Sequence, residues 1–390
     1  MDYPLAGLKV LDFSRVLAGP FAGRMLCDLG ADVVKIEPPE GDVSRNWGKV
    51  TGGLSGYFNQ WNGGKRSICV DMQVLGAVAL VEELVKHADI LIENFRPDVM
   101  ERLGINYESL SKINPALIML SISGFGHGGS ESHRPAYAPV IHAEAGLIER
   151  HAFRNDAPLS DFPVSLADTN AALHGLVGLL AALHMRSSTG KGQHIDIAMM
   201  DATVATDDQL NYELEDSHAT GPLPNDVWQT GIGPILLSTD FRYFWRCISE
   251  NFGVQDSPDE STGLGEKIAA RREATAAFMM TLDSREKILE IMDAFGIPWG
   301  DVRQGAKLQD QTTVKERDAL IEVDDRAGGT RVVSQSPYRF SSAASGFRGP
   351  APHQGEHNLE VLTDWIGASQ DHVDTLREQG VLLTDEHQGY

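Results

Sequence analysis

The stretch LADTNAALHGL, residues 166–176, sets Asp168 and Asn170 just ahead of a run of apolar and small residues. A carboxylate in that place has two roles open to it. Aspartate before an apolar helix is the usual N-cap, its side chain accepting a backbone N–H of the first turn. In a cleft, the same carboxylate is free to take part in chemistry. A helix N-terminus favours its ionised form. Elsewhere Arg15, Lys65, Arg66, Arg96 and Arg134 stand beside strand-like segments or in the loops after them. The carboxyl edge of an open parallel sheet is where a phosphate-bearing anion binds, although each of these residues, taken singly, also suits a solvated surface.

Placing such groups requires a sheet, and the first 125 residues read as one. LKVLDFS, ADVVKIE, SICVDM, DILIENF and ALIMLSISGFG are short apolar strands, while PFAGRMLCDLG and QVLGAVALVEELVKHA carry helical spacing, the former ending at Gly30. Strand and helix in alternation predict a parallel, right-handed α/β sheet. The spacing predicts a further helix from Thr169 to Ser187, then the turn STGKGQ and the strand HIDIAMM. Gly175, Gly178, Ala181 and Ala182 thin part of that helix for close packing. DDQLNYELEDSHATGPLPND is polar and loop-rich. The helical patterns REATAAFMMTL and SREKILEIMDAFG follow, in what reads as a smaller second domain.

Composition removes several functions. The dinucleotide fingerprint G-x-G-x-x-G is not met by AGPFAG, which offers Gly19 and Gly23 around Pro20. A formal charge of −22 argues against nucleic acid as a partner. Three widely spaced cysteines, Cys27, Cys69 and Cys247, fit neither a disulfide framework nor a C-x-x-C metal or redox site. The thirteen histidines show no H-E-x-x-H, so no metal is expected. The N-terminus has no signal-peptide pattern, and no window holds ~18 uninterrupted apolar residues. A cytoplasmic protein without a membrane span is the expectation.

DFSRVLAGPFAGRMLCDLGADVVKIEPPEGD, NGGKRSICVDM, ENFRPDVMERLG, the segment around Asp168, STGKGQHIDIAMMDA and GPAPHQGEHNLEVL, in that order, resemble the class III (CaiB/BaiF) CoA-transferase family. Formyl-CoA:oxalate CoA-transferase and carnitine CoA-transferase are members. The resemblance covers roughly residues 5–205 and 295–365. It implies an α/β fold with a large Rossmann-like, CoA-binding domain over residues 1–205. A smaller inserted α+β domain over 225–330 and a return to the large domain over 331–390 complete it, in an interlocked homodimer. It implies an enzyme that moves CoA from an acyl-CoA to a carboxylic acid through an aspartyl anhydride and an aspartyl thioester. Asp168 matches the nucleophile. Val16, Ala18, Asn94, Phe95, Arg102 and Tyr137 match positions that contact CoA, and Trp47 and Tyr57 match aromatic groups near the acyl or acceptor acid.

Four features depart from the resemblance. Leu17 replaces a glutamine of the oxalate-using enzyme and cannot hydrogen-bond a small dicarboxylate. Pro38 replaces an arginine on CoA, and Ala138 follows Tyr137 where an acidic residue is usual. The region of the family's glycine-rich loop reads NDVWQTGIGPILLSTDFRYFW, with only Gly231 and Gly233. Two other readings accompany the transferase. An α-methylacyl-CoA racemase needs a His-Asp pair where Tyr137-Ala138 stands; the other is a non-catalytic CoA-binding subunit.

Overall fold

The structure, a computed structural model, describes residues 2–217, 225–256 and 263–384. It divides into two compact units, Met1–Asp207 with Lys315–Tyr390, and Asp208–Val314. In the first unit the chain forms β1 (Lys9–Asp12), β2 (Asp32–Glu37), a small antiparallel pair β3 (Val50–Thr51) and β4 (Leu54–Ser55), then β5 (Arg66–Val70), β6 (Ile90–Glu93), β7 (Ile118–Ser123) and β8 (His194–Ala198). Apolar residues fill both faces of β1, β2, β6 and β7, as a parallel sheet covered on two sides requires. Val10, Val33, Ile90, Ile118 and Leu120 pack against helices Ala18–Asp28 and Leu166–Thr189. Leu11, Val34, Leu91 and Met119 pack on the other face against helices Ala77–Val85, Asn358–Ile366 and Gln370–Glu378.

The second unit begins in the polar segment after residue 206, of which residues 218–224 lie outside the described residues. It holds an antiparallel sheet of β9 (Asp226–Thr230), β10 (Gly233–Leu237) and β11 (Trp299–Asp301). REATAAFMMTL and SREKILEIMDAFG are helical there, in Leu264–Met280 and Arg285–Phe295, the latter capped by Ser284. Trp228, Ile235, Phe244, Met279, Ile288 and Met292 form the core. Gly231 and Gly233 belong to a tight hairpin turn. Gly231 N–H donates to Leu282 O at 2.9 Å, and a Cβ on Gly231 would sit 2.9 Å from Asp283 Cα.

After β11 the chain makes the hairpin β12 (Leu320–Asp324) and β13 (Thr330–Ser334) and ends with β14 (Leu382–Leu383). Residues 315–330, expected in the smaller domain, belong to the first unit. Long-range hydrogen bonds at the end of the hairpin explain this: Ser334 N–H donates to Gln60 Oε1 at 3.0 Å, and Arg24 donates to Ser334 O at 2.7 Å. The large sheet has the order β14-β5-β2-β1-β6-β7-β8, and only β14 runs antiparallel. The chain steps outward from β1 through β2 to β5, then returns to the other side of β1 with β6. Connections leaving the carboxyl ends of β1 and β6 therefore diverge, and a crevice opens between them.

The helix expected from Thr169 starts earlier, at Leu166, and runs to Thr189. Among the described residues it is the one helix long and apolar enough to cross a membrane by length and composition. In this fold Ala167, Ala171, Gly175, Leu176, Leu179 and Ala182 lie in the core of the first unit. A Cβ on Gly175 would stand 3.1 Å from the methyl groups of Leu120, and one on Gly178 would stand 3.2 Å from Ile195. The thin face thus meets side chains of the sheet, and Ala181 is exposed.

Gly19 and Gly23 have a packing role in place of the missing dinucleotide fingerprint. A Cβ on Gly19 would overlap the Ser14 side chain, and one on Gly23 would lie 2.7 Å from Asp12 Oδ2. Gly19→Ala is expected to cost ~1–3 kcal/mol by overpacking. Gly56→Ala, with no atom near its Cβ, should change urea-unfolding stability by less than ~0.5 kcal/mol.

Candidate active site

The crevice is built from two short loops, residues 14–17 after β1 and 94–97 after β6. Asn94 ties them together: Oδ1 accepts Arg15 N–H at 2.8 Å and Nδ2 donates to Arg15 O at 2.8 Å. Ser14 N–H donates to Asp12 Oδ1 at 3.0 Å, and Lys35 Nζ donates to Ser14 O at 2.7 Å. Glu93 supports the second loop by accepting Phe95 N–H at 2.8 Å. Burial drives the Glu93 carboxyl up to about 7 in spite of that bond and one from Ser121.

A cavity of ≈ 500 Å³ opens at this edge. Val16, Ala18, Asn94, Phe95, Arg102, Tyr137 and Asp168, all singled out in the sequence, line it together. Arg15, Arg96 and Arg134 line it as well. Arg134 is paired with Glu131 at 2.8 Å and Glu144 at 2.6 Å, and Arg102 with Asp98 at 3.1 Å. Arg15 lies over the Phe95 ring at 5.9 Å. A smaller cavity on the β2 side shares Arg15, Phe95 and Val99 and contains Pro38.

Two of the basic residues read from the sequence have other partners. Lys65 is fully buried and donates to Asp12 Oδ2 at 2.7 Å, Asn62 Oδ1 at 2.9 Å and Pro20 O at 3.0 Å. Arg66 pairs with Asp32, Glu360 and Asp364 at 2.6–3.0 Å. Leu17, Trp47 and Tyr57 do not line the main cavity. Leu17 is buried. Trp47 and Tyr57 meet edge to face at 5.2 Å, and Trp61 continues the cluster from Tyr57 at 6.4 Å to Phe21 at 5.2 Å. Burial, then the Asp168 charge, push the Tyr57 hydroxyl up to about 12, which places the aromatic cluster within electrostatic reach of that carboxylate. Trp61 and Phe21 were missed in the sequence. The available signal was Trp61 four residues after Tyr57 on helix Gly56–Asn62, one turn along the same face.

Asp168 lies in the first turn of its helix, inside the N-cap position held by Ser165. It is 7% exposed. Burial raises its carboxyl to about 6, against the opposing pull of the Ala138 and Ala18 backbone N–H groups and of His142. Those amides open helices Ala138–Glu144 and Ala18–Asp28. Desolvation therefore outweighs the helix N-terminus that the sequence suggested would favour the ionised form.

The profile of CoA-transferase family III matches residues 5–358. The chain belongs to that family. It is 33% identical to acetyl-CoA:oxalate CoA-transferase of Acetobacter aceti over 374 residues, covering 92% of this chain and 93% of the relative. It is 31% identical to succinyl-CoA:mesaconate CoA-transferase of Haloarcula hispanica, covering 95% and 99%. The solved structure of a CaiB/BaiF family protein from Brucella suis superposes with a TM-score of 0.78 at 30% identity, covering 94% of this chain and 100% of that one. The chain is thus a family III CoA-transferase, an enzyme that acts on CoA thioesters.

In this CoA-transferase a His-Asp pair stands behind Asp168, out of register with the position a racemase would use. His142 is fully buried and its Nδ1 bonds Asp161 Oδ1 at 2.8 Å. Its Nε2 accepts Ala167 N–H at 3.3 Å. Both ring nitrogens are thus engaged, Nδ1 by a carboxylate and Nε2 by the backbone. Since Ser165 makes no side-chain cap, His142 serves the unpaired N–H of the first turn in its place.

The raised Asp168 pKa has a consequence for stability. The folded state binds more protons than the unfolded state between pH ~4 and ~6, so stability falls as pH rises through that window, and the penalty is complete above it. Asp168→Asn removes the buried charge. It is expected to gain ~1–3 kcal/mol at pH 8, from about two pKa units at ~1.4 kcal/mol each, and nothing at pH 4. Urea unfolding at the two pH values checks this; equal effects at both would contradict it.

Proposed function

We propose that Asp168 is the nucleophile of the transfer, and the observation that carries this is its position: a buried carboxylate in the cavity wall, faced by two backbone amides. Asp168 attacks the thioester carbonyl of the acyl-CoA donor and expels CoA thiolate, leaving an aspartyl acyl anhydride. The thiolate then attacks the aspartyl carbonyl, giving aspartyl-CoA and the free donor acid. The acceptor carboxylate repeats the two steps in reverse order. Ala18 and Ala138 N–H groups are placed to receive negative charge as it develops on oxygen at Asp168. Arg15 and Arg96 supply positive charge for the phosphates of CoA, and Asn94 acts by holding the Arg15 backbone. Val16, Phe95, Arg102 and Tyr137 complete the CoA contacts.

The acceptor is read as a carboxylic acid larger and more apolar than oxalate, on the side of Trp47, Tyr57, Trp61 and Phe21, because Leu17 offers no hydrogen bond. The unit Asp208–Val314 is read as the inserted small domain. Three buried, free cysteines fit a cytoplasmic setting. The racemase reading lacks support, since the lone pair of His142 is committed to Ala167.

Succinyl-CoA or acetyl-CoA offered with a panel of carboxylic acids, with thioester products read by mass spectrometry, tests the reaction. Exchange is expected with the wild type and none with folded Asp168→Ala, whose CoA affinity should be nearly unchanged. Turnover surviving in that variant, or faster α-deuteration of a 2-methylacyl-CoA than CoA exchange, would overturn the assignment.

A homodimer is proposed as well. Leu166, Leu173, Val177 and Leu180 form an exposed apolar stripe on the Asp168 helix, and Val204 is exposed on the helix packed beside it. A second copy of the chain is the occupant that the interlocked arrangement of the family suggests. Sedimentation should show a dimer at nanomolar concentration, and tagged and untagged dimers should not mix; a monomer would contradict this.

A further inference from the structure

Val16 adopts φ 69°, a left-handed conformation that is unfavourable for a β-branched residue. It stands between Ser14, which packs on the helix start at Gly19, and Ala18, whose N–H faces Asp168. Val16 lines the cavity with Asp168. A glycine would take this backbone shape freely, so a valine there requires the surroundings to impose it. Val16 N–H is directed between the carboxylate oxygens of Asp42, at 3.1 and 3.3 Å.

Asp42 is held in turn. It accepts Ser44 N–H at 2.9 Å and Ser44 Oγ–H at 2.7 Å, and it pairs with Lys35 Nζ at 3.1 Å. Lys35 is fully buried and also donates to Ser14 O, so one ammonium fixes both ends of the turn. Burial alone would raise the Asp42 carboxyl. The Lys35 charge and the two Ser44 bonds overcome it and hold the group at about 2, while Lys35 is held above its ordinary value by Asp42, Asp12 and Glu37 against burial. Both partners are therefore charged, inside the protein, beside a strained residue of the cavity wall.

We propose that the buried Lys35–Asp42 pair is a positioning device for the transfer reaction: it forces Val16 into the left-handed conformation that sets the cavity wall and the Ala18 amide against Asp168. The proposal rests on the reading of Asp168 as the reacting carboxylate. Lys35 and Asp42 touch no reacting atom and act through residues 14–18.

The test uses the full-length chain and removes both charges together, as Lys35→Met/Asp42→Leu, because an unpaired buried charge would itself destabilise the fold. Lys35→Met/Asp42→Asn is the second variant, which also removes both charges but keeps the volume and an acceptor for Val16. Two readouts are taken: amide hydrogen exchange of the peptide covering residues 13–21, and kcat and KM for thioester exchange. With Val16 in place, removing the pair should speed amide exchange at residues 14–18 and lower kcat at least tenfold, with a smaller change in KM for acyl-CoA. Lys35→Met/Asp42→Asn should fall between. The same removal in a Val16→Gly background, measured against Val16→Gly alone, should cost no more than about threefold. Unchanged amide exchange after removal of the pair, or an equal loss of kcat with valine and with glycine, would overturn the proposal. Failure of the Asp168 reading would show separately, as continued turnover in Asp168→Ala.

Discussion

Four buried charges, Asp12, Lys35, Asp42 and Lys65, lie beneath the carboxyl end of β1, and the geometry of the site depends on them. They form two pairs, Lys65 with Asp12 and Lys35 with Asp42. Moving such groups out of water costs several kcal/mol per ion, and their mutual attraction only roughly offsets it. Their contribution is therefore direction. Each carboxylate also accepts from the loop after β1: Asp12 takes the Ser14 amide, and Asp42 takes the Val16 amide. An apolar core of equal volume would bury as much surface and leave that loop free to choose among turns.

Topology explains why the loop matters. β1 is central, and the chain leaves it in one direction before returning to its other side with β6. The two loops that diverge there have no regular ladder to hold them, so side chains must do it, as Asn94 does by bonding both backbone groups of Arg15. The same divergence lets a strongly acidic protein gather arginines around one cavity. Most acidic side chains are on the surface, whereas Arg15, Arg96 and Arg134 are delivered to the edge by loops that follow buried strands or run beside the cavity, and Arg102 by the short helix Asp98–Arg102.

Patterns local in sequence were legible. Apolar runs of four to six residues became the strands, and helical spacing located most helices, because burial on two faces or on one stripe leaves a periodic trace. Asp168 was legible as a residue of interest, but its place in the helix was not. Asp-Thr-Asn has the composition of a cap, and Leu166 and Ala167 carry no start signal; His142, far back in the chain, provides the acceptor instead. Lys65 and Arg66 were read with the ligand-binding cations for the same reason. Their carboxylate partners lie 34 to 298 residues away, and no pattern within a motif reveals which of several basic residues will find one. The two-residue strand β14 is also too short to carry a period.

The state of Asp168 follows from these constraints acting together. A carboxylate in water near neutrality is well solvated and a weak nucleophile. Burial removes that solvation, which raises the pKa to about 6 and makes the ionised group costly to hold. The amides of Ala18 and Ala138 return part of the lost stabilisation from fixed positions, without the freedom of water to reorganise. At pH 7 and above the group is still ionised, the form that the proposed attack requires, and it is less stabilised than a surface aspartate. In the proposed reaction, fixed amides that stabilise a carboxylate in the resting enzyme are equally placed to stabilise charge as it appears on the same oxygens. Hydrogen bonds to the Ser14 and Val16 amides hold the turn that leads to one of them, which connects the buried charges under β1 to the carboxylate at the helix start.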